Sequence, residues 1–239
     1  MISSALRYVK EFAFPLKHRF AVNKINWVII ACILVSVTFW LADPNELSAP
    51  YLAFSTTNLL NGRVWTLITA LFLHADILHL GGNMIFLYAF GNALEKEVGA
   101  GKTYLAFFTG GVLSLLFGAF FYNPNIYLVG ASAAIFTLIA VVMLVKPLKF
   151  SFIFFMPLGL VALIYIIYNV VAVQTGVEGN VAYISHVLGF AVGIPLGVMW
   201  SKNLVRNLLI TLGLLILYLF IIFVLTPYLL QLLRVAATL

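Results

Sequence analysis

The 239-residue sequence is predicted to fold as an all-α, polytopic membrane protein, on three observations. Hydrophobic residues make up 64% of the chain and charged residues only 8%, whereas an ordinary soluble domain carries about 25% charge. Mean hydropathy is accordingly high, at +1.14. Apolar runs recur along the whole chain at lengths approaching the roughly 20 helical residues that cross about 30 Å of hydrocarbon. Basic residues gather in alternate connections between these runs, as the positive-inside rule requires of a multi-span protein. The net charge of +6 is thereby explained by contact with anionic lipid headgroups and calls for no nucleic-acid partner.

Seven runs are expected as spans, approximately over 25–42, 73–95, 103–121, 132–146, 149–172, 183–200 and 207–228. The first begins only near Ile25. It is longer than a signal-peptide core and no A-x-A-like site follows, so it is expected to be retained. The lone Cys32 lies within it, which excludes an internal disulfide. Asp43 to Trp65 forms an external connection rich in apolar and aromatic residues, among them Tyr51, Phe54 and Trp65, suited to lie in the membrane interface. The second run contains His74, His79 and Asn83, and the fourth is short.

Arg7, Lys10, Lys17, Arg19 and Lys24 precede the first run, and Lys96/Lys102, Lys146/Lys149 and Lys202/Arg206 flank later ones. This leaves only Arg63 and Arg234 on the opposite side, so the N-terminus is expected in the cytoplasm and the C-terminus outside. The chain divides into a basic cytoplasmic segment (1–24), a six-span core (25–200), and a linker with an added C-terminal span (201–239).

Polar side chains at membrane depth are costly and tend to be kept for a function. Ser132, in Gly130-Ala131-Ser132 at the mouth of the short fourth run, is a candidate nucleophile. At a helix N-terminus it would lie beside backbone N–H groups that have no helical acceptor and can stabilise an oxyanion. His186 is the candidate general base, followed by Gly189 and Gly193, whose Gly-x-x-x-Gly spacing permits a neighbouring backbone to come close. His79 and Asn83 stand four residues apart on one helix face. Each singly could be an interhelical hydrogen bond; together with Ser132 and His186 they suggest a protease opening toward the external side.

With these residues in this order the chain resembles the rhomboid family of intramembrane serine proteases, over roughly 25–200. The motifs are His74, His79 and Asn83 on the second span, Gly130-x-Ser132 on the fourth, and His186-x-x-Gly189-x-x-x-Gly193 on the sixth. The resemblance implies a six-helix rhomboid-like bundle, here with a seventh C-terminal transmembrane helix. It also implies a Ser132/His186 dyad without an acidic third member, acting through an acyl-enzyme. Further implications are an oxyanion hole from His79, Asn83 and the Ser132 N–H, a structural Glu95, and a ring at Phe136 stacked on the histidine. The family's usual Trp-Arg is Trp65-Thr66 here, so any anchoring role of that arginine is lost or passes to Arg63. Ala133 replaces the glycine that usually follows the serine, and Ser185 stands where alanine is common.

The substrates implied are single-span membrane proteins, the partners otherwise lipids, and the setting a prokaryotic cell membrane. No cofactor is called for. The gate is expected at the fifth span or the Gln174–Asn180 connection. A metal site of His74, Asp76, His79 and His186 is a rival reading, but the His-x-x-x-His pair of a zincin is absent, Asn83 standing where the second histidine would be. A second rival is an inactive relative that binds transmembrane clients without cutting them; loss of Ser132 or His186 would mark it, and both are present.

Overall fold

The computed structural model describes residues 23–42, 48–176 and 182–236, with side chains through Gln231. The 1–22 basic segment and part of the Gln174–Asn180 connection therefore lie outside the described residues. Among the described residues the regular structure is helical apart from one two-stranded hairpin and an isolated bridge between Phe54 and Leu128. Helix α1 spans Asn26–Ala42, and three short helices follow on one side of the bundle: α2 (Ala49–Leu52), α3 (Thr56–Leu60) and α4 (Thr66–Thr69). Then come α5 (Ile77–Val98), α6 (Ala100–Gly118), α7 (Ser132–Val145), α8 (Leu158–Thr175), α9 (Tyr183–Trp200), α10 (Leu204–Phe220) and α11 (Thr226–Ala236).

Among the described residues, five helical stretches are long and apolar enough to cross a membrane: α5, α6, α8, α9 and Leu204–Gln231. The remaining apolar helices α1 and α7 have 17 and 14 residues. Short α7 is the central pillar, with every residue from Ala133 to Leu144 buried. Large apolar side chains such as Leu34, Phe120, Leu209 and Phe223 are exposed on the outside, the arrangement of an integral multi-pass protein solvated by lipid.

The span boundaries shift by a few residues in several places, and three of the shifts have a clear local reason. The second span starts at Ile77 rather than 73, because the Asp76 carboxylate caps it by accepting the Leu78 and His79 N–H groups, both at 2.8 Å. The fifth starts at Leu158 rather than 149. Pro147 and Pro157 bracket the antiparallel pair β1 (Phe150–Ser151) and β2 (Met156–Pro157), and a proline biases the residue before it away from helix. The seventh continues past 228, passing Pro227 through a π turn at Ile221–Leu225, a local widening of the kind that accommodates proline in a long helix.

Polar ties hold the bundle in register. Both oxygens of Glu95 accept N–H groups ahead of α1, from Lys24 and Ile25, each at 2.7 Å. A carboxylate there also meets the positive end of the helix dipole. The orphan carbonyls of Leu144 and Val145 at the end of α7 accept from Asn207 Nδ2 at 2.9 and 3.0 Å, and Ser201 Oγ donates to Leu144 at 2.7 Å. The seventh helix is thus fastened at its start. Only 6% of its apolar window is buried, so it is an appendage to the core.

Candidate active site

Residues 48–65 of the first connection brace the segment that leads to Ser132. Phe54 and Leu128 exchange backbone hydrogen bonds at 3.1 and 2.7 Å, and Thr57 N–H donates to Pro124 O at 3.0 Å. The Arg63 guanidinium donates to Pro50 O and Asn58 Oδ1, both at 2.9 Å, and lies 4.5 Å from the Tyr51 ring centre. The anchoring arginine is thus Arg63, and Thr66, in the place usually held by one, donates to Arg63 O at 2.8 Å.

Ser132 is the first residue of α7 and is half-buried. The first bond of that helix runs from Ile135 N–H to Ala131 O at 2.9 Å, so the N–H groups of Ser132, Ala133 and Ala134 have no acceptor within it. The turn before it depends on Gly130, whose φ is +114°. A Cβ at that position would lie 2.7 Å from His79 Nε2, so only glycine fits both the backbone and the ring.

His74, ahead of the second span, and His79, within it, have complementary roles. Ala131 N–H donates to His74 Nε2 at 3.4 Å, which leaves the proton on Nδ1 to be donated to Ser36 Oγ at 3.0 Å; Ser36 in turn donates to Phe72 O at 3.0 Å. His74 is therefore committed to tying α1 to the Gly130 turn. The Nδ1 of His79 accepts the Ala75 N–H at 3.4 Å, which puts the His79 proton on Nε2, the atom beside Gly130. Buried Asn83 donates one amide hydrogen to His79 O at 2.8 Å and keeps the other.

His186 is brought to this end of α7 by glycine packing. A Cβ on Gly189 would sit 2.1 Å from Ala133 O, and one on Gly193 would sit 2.5 Å from Thr137 O; α9 therefore touches the backbone of α7 directly. Thr137 Oγ1 seals the contact by donating to Gly189 O at 2.7 Å. The same side chain occupies the space a Cβ on Gly110 of α6 would need, so Thr137 is the junction of three helices. The imidazole of His186 stacks on Phe136 at 4.5 Å and 9°. Phe136 stacks on Tyr165 at 5.2 Å, and Tyr165 on Phe86 at 4.5 Å, a column of rings joining α9, α7, α8 and α5.

No hydrogen bond joins Ser132 to His186 among the described residues. Bonds between a nucleophile and its base are often long before substrate binds. His186 Nδ1 instead faces Asn169 Oδ1 at 2.7 Å, a partner the motif reading missed. The signal was present, since Asn169 is an amide within the apolar fifth run. Among the described residues there is no group of three His, Cys, Asp or Glu side chains that could hold a metal ion.

The fold and site define a polytopic helical membrane protein with a half-buried serine and a buried histidine on adjoining helices. A family model described as the Rhomboid domain matches residues 61–203, more than half of the chain, and the chain belongs to the rhomboid family. It is similar to the rhomboid protease GlpG of Salmonella choleraesuis, at 31% identity over 101 residues, or 42% of this chain and 36% of that protein. The GlpG proteins of Salmonella newport and Salmonella heidelberg are 30% identical over the same length. The chain spans about a third of the length of the curated relatives it matches.

Proposed function

We propose that this protein is an intramembrane serine endopeptidase that cleaves single-span membrane proteins near the external membrane surface. Ser132 attacks the peptide carbonyl as His186 takes the hydroxyl proton; the tetrahedral intermediate collapses when His186 gives that proton to the leaving amine, and a water deprotonated by His186 then hydrolyses the resulting acyl-enzyme and frees Ser132. His79 Nε2–H, the free Asn83 amide hydrogen and the Ser132 N–H receive the oxyanion. The reading rests chiefly on the Gly189–Ala133 contact: it sets the turn after His186 against the residue after Ser132. The family of the chain and the protease names of its relatives support it.

The short α7 begins below the external surface under this reading, so a substrate helix has to unwind to present extended backbone to Ser132. Substrates with small or helix-breaking residues near the cut are favoured accordingly. The N-terminus is cytoplasmic and the C-terminus external, from the distribution of basic residues. Incubation of the purified protein in liposomes with a panel of single-span substrates, with cut sites mapped by mass spectrometry, tests the proposal. Cleavage within or beside the span is expected; a panel left intact, with Ser132 inert to fluorophosphonate, overturns it.

A further inference from the structure

We propose that Asn169 is a positioning residue for His186, the neutral third member of a Ser132–His186–Asn169 relay. The inference rests on the dyad proposed above. Asn169 lies on α8, is 2% exposed, and its Oδ1 stands 2.7 Å from His186 Nδ1. Either partner could in principle donate, and a second contact decides between them.

Asn169 Nδ2 donates to Tyr165 O at 2.8 Å, one turn earlier on the same helix. Turning the amide over would set its oxygen against that carbonyl, two acceptors with no hydrogen between them. The amide is therefore held with Oδ1 toward the imidazole, and Oδ1 can only accept. His186 must carry its proton on Nδ1, which leaves Nε2 as the basic nitrogen. That is the tautomer a general base needs to take a serine proton.

The ring is clamped from a second direction by Phe136, stacked at 4.5 Å. The amide acts in the ring plane and the phenyl on its face, so together they fix rotation about both side-chain torsions of His186. An amide does this without placing an ionised carboxylate at membrane depth, where a charge is costly. Asn169 thus has a reason to be buried in an apolar helix that helix packing alone does not supply: its Nδ2 donates within its own helix to Tyr165 O, and its Oδ1 is held toward the imidazole.

The test uses the full chain in lipid nanodiscs. In the ¹⁵N spectrum of histidine-labelled protein, the His186 signal, assigned by its loss in His186→Ala, is expected in the Nδ1–H form in wild type. It is expected to mix with the Nε2–H form in Asn169→Ala. Against a single-span substrate, Asn169→Ala is expected to lower kcat about 10- to 100-fold, the loss of one buried hydrogen bond, with KM unchanged. Asn169→Asp, which keeps an acceptor oxygen, is expected to recover much of that rate. An Nε2–H tautomer in wild type overturns the proposal, as does an Asn169→Ala variant with wild-type kcat, or equal impairment of the Ala and Asp variants. Should wild type cut nothing and resist fluorophosphonate, the protease reading fails instead, and the wild-type tautomer still decides the role of Asn169.

Discussion

Adding one methyl group at Gly189 separates the catalytic geometry from the mere presence of its residues. The new Cβ would fall 2.1 Å from Ala133 O and 2.9 Å from its carbonyl carbon. Both atoms are backbone at the start of the stretch of α7 that is buried from Ala133 to Leu144, so they cannot turn aside as a side chain would. Ordinary contact begins near 3.4 Å, so α9 has to retreat by at least about 1 Å, a displacement that can cost about 100-fold in rate when it falls on a catalytic geometry. Overpacking of this kind also costs about 1–3 kcal/mol of stability. Gly189→Ala should therefore lower kcat about 100-fold while the helical content by circular dichroism stays native. Gly213→Ala, on α10 with nothing within 4 Å, is the control and should behave as wild type. A folded Gly189→Ala protein with undiminished kcat would refute the claim that direct backbone contact of α9 on α7 sets the site.

Three further substitutions probe the scaffold. Gly130→Ala demands a positive φ of a residue with a Cβ and drives that atom into His79 Nε2; substrate cleavage and fluorophosphonate labelling of Ser132 should both be lost. Glu95→Ala removes the acceptor of two N–H groups ahead of α1 and should cost about 1–2 kcal/mol, as capping losses do, read as a lower Tm with kcat little changed. Arg63→Ala releases Pro50 and Asn58 from their shared donor, and should speed limited proteolysis of residues 48–65 while lowering activity several-fold. A resistant loop would show that Arg63 does not anchor it.

Much of this architecture was legible because lipid simplifies the code: every span must be apolar and helical, so run lengths and intervening charges give the order of helices. The close packing of α9 on α7 was likewise readable, since Gly189 and Gly193 repeat on one face at the phase of His186. What could not be read depended on contacts between distant parts of the chain. Phe150–Pro157 has the apolar composition of a span and became a hairpin between Pro147 and its own last residue, Pro157. The division of labour between His74 and His79 depends on Ser36 and Ala131, 38 and 57 residues away from His74. Thr137 and Asn169 carry no motif at all. One is a junction because Gly110, Gly189 and Gly193 vacate space around it, and the other faces His186 only because α8 packs beside α9.

The central claim is that Ser132 is a nucleophile activated by His186. Its most direct measurement is the rate and site of fluorophosphonate labelling in the purified, lipid-embedded protein, followed by intact mass and peptide mapping. A single adduct on Ser132 in wild type, absent from Ser132→Ala and strongly slowed in His186→Ala, is the predicted result. Labelling of another residue, or equal labelling of Ser132 with and without His186, would contradict the account.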